Sequence, residues 1–402
     1  MKDQHVGNIV AGTKTIVKMS GGTISGGVTP TGAGGNLFLC GKMEMTGGQI
    51  YGGRATSGGN IHMSYSATLN QYGGVISGGH AKEYGGNVNV SSQSTFYLRG
   101  GMIRGGVADT SGGNINCFSE GTFRMRGGTV SGGIAKGTAN GTGGGNIYLR
   151  SDKTKVEISG GTISGGKAEG AVAENGAVTG GDGGNINANR GTVAISGGVI
   201  TGGEANGNGG GIYMAVNSAS LTLSGNALIY GNGTDIMRGN TDKEGKCQII
   251  LDGWNGNGDM GKLVIDRVKG VAGAVLAVPT EGGALTEDTL ALFETPRRFL
   301  PPALDDENRM ILANTLVMGE ADHIHCLCGG TYEGHTCTDT GYVSVTAAEF
   351  FECFSYHDNA YYVQGNANLC LTEDIVLDAP CFSAGYALNI CFNGHKIGRA
   401  HV

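Results

Sequence analysis

The chain has 402 residues, of which 79 are glycine, a formal net charge of −7 and only 15% charged residues. Glycine in GG pairs rather than at every third position excludes collagen, and Ile, Val and Leu at fixed offsets from those pairs exclude a disordered tract. The acidic balance argues against nucleic acid as a partner, and no run of about 18 apolar residues is present to span a membrane.

From the N-terminus, seven segments open with Asn after glycine, at Asn8, Asn36, Asn60, Asn87, Asn114, Asn146 and Asn185; an eighth has Gly211 in that place. Each then carries a GGx[IV]xGG motif, such as GGTISGG or GGMIRGG, with GNALIYGN as a worn eighth copy. Successive openings are 28, 24, 27, 27, 32, 39 and 26 residues apart. The variation falls after the second GG, from RATS (54–57) to KAEGAVAENGAVTGGD (167–182), so one corner of the repeat tolerates insertion.

Each repeat contains three short runs with period two, the signature of strands with one face inward. Counting back from the GG pairs gives inward columns such as Met19, Met45, Gln71, Leu98, Met125, Ile158, Ile195 and Leu223. One repeat cannot bury such a face alone, whereas stacked copies bury a continuous one. The pattern predicts an all-β fold, a right-handed parallel β-helix with three short strands per coil, in eight regular coils over 1–233. Residues 234–318 read as degenerate last coils and a β cover over the open end.

Asn tolerates positive φ, and its amide can bond to the same amide one coil away. Asn36, Asn60, Asn87, Asn114, Asn146 and Asn185 are therefore expected to form a structural ladder. Lys82, Asp109, Lys136 and Glu169 alternate in sign in consecutive coils and are expected to pair, as are Lys18 with Glu44 and Arg124 with Glu157.

Residues 319–342 hold HIHCLCGGTYEGHTC, in which Cys326, Cys328, His335 and Cys337 suit one structural Zn²⁺ or, equally, one or two disulfides. Thr346 followed by Glu349 is a capping-box pattern that predicts a helix over 347–354. The strand-like runs LCLTEDIVL and ALNICFNGHKI follow, so 343–396 reads as a capping helix and the first strands of a second β-helix module.

This order of helix, LTEDIVL and LNICFNGHKI resembles the start of the pectate-lyase-like β-helix of large bacterial surface proteins. The GGN and GGxIxGG coils, with their CxCGG linker, resemble repeat modules of such proteins in Gram-positive gut bacteria. The resemblance covers nearly the whole chain, but its motifs are architectural. It implies an extracellular or cell-surface location and further β-helix modules in the parent chain. Reverse translation of IGRAHV (397–402) reproduces a common sequencing-adaptor stretch, so the native sequence is expected to end near Lys396. The lack of a signal peptide or wall anchor then says nothing about location.

Polysaccharide lyases and hydrolases of this fold need carboxylates clustered on adjacent coils. The outward positions of the GGxIxGG strand carry none, and no catalytic residue is assigned. The candidate ligand residues are Tyr72, Arg99 and Arg126 at equivalent positions of three coils, Tyr97 and Arg124 in a neighbouring column, and Arg104 on the adjoining strand. Aromatic faces beside guanidinium groups can hold sugars or anionic glycans. Two functions follow: a secreted structural or adhesive stalk that binds carbohydrate or a surface protein, with no cofactor beyond the zinc alternative; or a polysaccharide lyase or glycoside hydrolase.

Overall fold

A computed structural model describes residues 7–173, 178–215, 219–239, 248–268, 273–296, 300–313, 323–326, 339–357, 359–383 and 385–399. Strand makes up 52% and helix 4%, in a β-solenoid of about 12 turns with mostly parallel sheets. The chain forms two compact units, residues 1–268 with 277–294, and residues 269–276 with 295–402.

In the first unit, four columns of strands run parallel. The first, from Ile9–Ala11 through Leu37–Leu39 and onward to Phe293–Glu294, is an 11-stranded sheet. The second includes Lys42–Met45, Thr68–Gln71, Thr95–Leu98 and Thr122–Met125; the third includes Gln49–Tyr51, Val75–Ser77 and Met102–Arg104. In the sixth and seventh coils these two columns fuse into single strands, Lys155–Ser164 and Gly191–Thr201. To the three expected strands the structure adds a fourth at the insertion-prone corner, from Val28–Ala33 to Glu204–Ala205, only two residues long from Val107–Ala108 onward. Its inward residue is alanine in six of seven coils, from Ala55 to Ala205, leaving too little alternating pattern to read as a strand.

The predicted inward columns are the core. Met43, Met45, Leu69, Phe96, Leu98, Phe123, Met125 and Val156 are all fully buried, and the Phe96 and Phe123 rings meet at 5.3 Å. Gln71 is also buried; its amide donates to Gly74 O at 3.3 Å and Met102 O at 3.5 Å, a polar insertion into an apolar stack.

The asparagines form a continuous ladder. Asn36, Asn60, Asn87, Asn114, Asn146 and Asn185 are fully buried. At Asn114, Nδ2 donates to Asn146 Oδ1 (2.7 Å) and Ser131 O (2.9 Å), while Oδ1 accepts from Asn87 Nδ2 (2.7 Å) and the Gly106 amide (3.0 Å). These four bonds use both amide protons and both carbonyl lone pairs, so no other small side chain fills the position equally. Where Gly211 breaks the sequence motif, Asn232 reaches in and accepts from Asn185 Nδ2 (3.1 Å) and the Gly203 amide (2.9 Å).

The GG pair that closes each third-column strand has two jobs. Gly132 adopts φ +59° with open space around its missing side chain, whereas a Cβ on Gly133 would strike Gly145 O and the Asn114 amide. One glycine supplies a left-handed turn; the other lets the corner pack against the next coil.

Two charge pairings differ from expectation. Asp109 pairs with His80 (3.0 Å) and Glu169 with Lys167 (3.7 Å), not with Lys82 and Lys136; Lys82, on the same strand as His80, donates instead to Pro30 O (3.0 Å). Glu44 bonds Lys42 (2.6 Å) on its own strand, although Lys18 also acts on it.

In the second unit, Pro302–Leu304 and Met310–Leu312 form an antiparallel hairpin. The capping box at Thr346 and Glu349 is made, and the helix runs Ala347–Glu352, two residues shorter than expected. LCLTEDIVL and ALNICFNGHKI each split into two strands. Ala367–Leu371 then pairs in parallel with Leu388–Cys391, and Ile375–Leu377 with Ile397–Arg399.

Candidate ligand-binding face

The second strand column carries the predicted aromatic and basic residues. Tyr97 and Arg124 align in register between Asn70 and Glu157. Tyr72, Arg99 and Arg126 directly follow their strands, and their amides donate to Met45 O (2.8 Å), Gln71 O (2.8 Å) and Leu98 O (2.9 Å). That shared bonding fixes the three as neighbours on successive coils.

The side chains interlock. The Arg99 guanidinium lies 5.4 Å from the Tyr72 ring centre and 4.8 Å from that of Tyr97, and Arg124 lies 5.8 Å from Tyr97. Arg124 is committed to Glu157 through Nε–Oε2 (3.0 Å) and Nη2–Oε1 (3.1 Å). Arg99 is held by ring faces, and among the described residues no carboxylate pairs with it or with exposed Arg126. Like charges on adjacent strands repel, so these two cations present uncompensated donors to solvent beside Tyr72, which is 51% exposed. Thr68, Thr95 and Thr122 align alongside, bounded by Lys42 and Lys155. Arg104 stands apart, aligned with Ser77 and Ser131 on the third column.

A second aromatic–guanidinium cluster was not evident in the sequence. Arg150 lies 3.9 Å from the Tyr84 ring centre and 4.8 Å from that of Phe118, while Tyr84 stacks with Tyr148 at 6.3 Å. Phe118 and Arg150 follow first-column strands in successive coils, whereas Tyr84 directly precedes the GG pair that opens the first column, at the end of the corner segment.

Burial shifts several ionisable groups of the first unit. Desolvation pushes the Cys117 thiol up to about 12, so it is no nucleophile at neutral pH. Burial raises Asp182, which accepts from the Asn208 amide (2.9 Å) and its Nδ2 (2.8 Å). It also raises Asp235, which accepts from Val264 N (2.9 Å) and Asn232 Nδ2 (2.9 Å). Asp182→Asn keeps an acceptor oxygen and removes the buried charge. A raised folded-state pKa means stability present below the unfolded value, about 3.9, and lost as pH rises through the folded one. The melting temperature of Asp182→Asn is therefore expected to gain on the parent's as pH rises from 4 to 7, which a paired thermal melt series checks.

Among the described residues, no three His, Cys, Asp or Glu side chains converge as metal ligands. Cys328, His335 and Cys337 lie outside the described residues; only the backbone of Cys326 is placed, in His323–Cys326 paired antiparallel with Asp339–Val345. A cleft of about 490 Å³ opens where the fourth column ends, lined mostly by glycine backbone with Asn232, Thr234 and Met237, and a single carboxylate, Glu204. No described helix is long and apolar enough to cross a membrane.

Fold and surface together define a β-solenoid repeat protein. No family model, curated protein or solved structure matches the chain.

Proposed function

We propose that this chain is an extracellular structural and adhesive stalk of a bacterial surface protein, whose Tyr72, Tyr97, Arg99 and Arg126 face binds anionic glycans. The observation that carries the reading is the Arg99–Arg126 pair: two guanidinium groups on adjacent coils, one clamped between tyrosine rings, neither neutralised by a carboxylate of the described chain. A preorganised guanidinium loses little freedom on gripping a carboxylate or sulfate, and the exposed Tyr72 ring offers a platform for a sugar face. Support for a stalk comes from the Asn ladder and apolar core, which run through successive coils as one continuous stack.

A glycan array tests this. The full chain is expected to retain acidic glycans, more weakly as salt rises. Arg99→Ala/Arg126→Ala is expected to lose at least about tenfold in affinity while keeping the parent's melting temperature, since each charge-assisted bond is worth about 1.5–3 kcal/mol. Equal retention by the double variant would remove the site.

A further inference from the structure

We infer that Cys370 and Cys391 are the two halves of an inter-coil disulfide in the second unit. They are register partners on the parallel strands Ala367–Leu371 and Leu388–Cys391. Paired residues on parallel strands project from the same face, and neighbouring strands lie about 4.7–4.9 Å apart, inside the Cα separation of about 4.4–6.8 Å that a disulfide spans. One rung away on the same face, Asn389 Nδ2 donates to Asn368 Oδ1 at 2.7 Å, so the side chains of this strand pair do meet across the gap.

The two other cysteines of the unit whose side chains are described do not lie on this strand pair. Cys353 is buried after the helix and its thiol donates to Glu349 O at 3.3 Å, while Cys381 sits on another sheet, beside Tyr361. Cys370 is fully buried and Cys391 half-buried, so Cys391 is the thiol an external oxidant reaches first. Oxidation is thiol–disulfide exchange with a small-molecule disulfide of the glutathione type. The Cys391 thiolate attacks it, forming a mixed disulfide and releasing one small thiol. The Cys370 thiolate then displaces the second, so the two cysteine sulfurs lose two electrons and two protons and the oxidant becomes two thiols. The product closes a short loop between adjacent coils and limits the freedom of the unfolded chain.

The test is peptide mapping of the full chain equilibrated in oxidising glutathione buffer, alkylated under denaturing conditions without reductant. The expected result is one peptide pair linking Cys370 to Cys391, lost on reduction, with a melting temperature several degrees higher for the oxidised chain. Cys391→Ser is expected to leave Cys370 alkylated and to lower the melting temperature of the oxidised chain by the gain that the Cys370–Cys391 link gives the parent. Separate alkylation of both cysteines in the oxidised parent, or a link from Cys370 to another cysteine, would overturn the assignment.

Discussion

Replacing Gly133 with alanine is expected to destabilise the first unit by at least about 3 kcal/mol, at the upper end of what overpacking costs. The added Cβ would strike Gly145 O and come within 2.7 Å of Asn114 Nδ2 and 2.9 Å of Asn114 N. Backbone cannot rotate away as a side chain can, so the coil must separate from its neighbour. The adjacent residue supplies the control. Gly132 has nothing within 4 Å of its missing Cβ, but its φ of +59° still disfavours alanine. Gly132→Ala is expected to cost about 1–2 kcal/mol, and Gly132→Asn less, because asparagine visits that region more readily. Urea unfolding of the three variants checks the order; equal midpoints for Gly132→Ala and Gly133→Ala would contradict it.

The second large effect belongs to the ladder. Asn114→Ala strands the Gly106 amide, Ser131 O and one bonding group on each neighbouring asparagine, all in a fully buried column. Each unsatisfied buried group costs about 1–3 kcal/mol, so with four stranded a loss of at least about 4 kcal/mol is expected. Asn114→Asp keeps the size and the acceptors but brings a carboxylate against the acceptors Asn146 Oδ1 and Ser131 O. Burial raises the folded-state pKa of such a group, so the aspartate variant should be most stable below about pH 4 and weaken as pH rises. Thermal melts at several pH values check this: the Ala variant's deficit should vary little with pH, the Asp variant's should grow. A flat profile for Asp would show that the column is solvated.

The repeat was legible because its determinants are local and recur. The Asn and GG positions mark the corners, and period-two residues such as Phe96 and Phe123 mark the core. What escaped depends on distance in sequence. Asn232 enters the ladder 47 residues after Asn185, from outside the motif that defines the other rungs. The fourth strand starts directly after each closing GG pair, but it is two residues long in several coils and its single inward residue there is alanine, so no alternating pattern marks it as a strand. The partners of Asp109 and Glu169 also escaped, because each carboxylate reaches a basic side chain two positions earlier in the motif, His80 and Lys167, rather than the one at its own offset. The Tyr72, Tyr97 and Arg99 cluster was readable because all three lie just before the first GG of the GGxIxGG motif in neighbouring coils, whereas Tyr84 and Arg150 come from two different strand columns and meet only through the corner between them.

The stalk reading stands or falls most directly on whether a bound polysaccharide is altered. Acidic polysaccharides that the full chain retains are incubated with it, and the chain length and end groups of the recovered material are determined. The account predicts unchanged length and no new ends, with retention lost in Arg99→Ala/Arg126→Ala. New reducing or unsaturated ends, persisting in that double variant and absent without protein, would contradict it and identify a glycan-degrading enzyme.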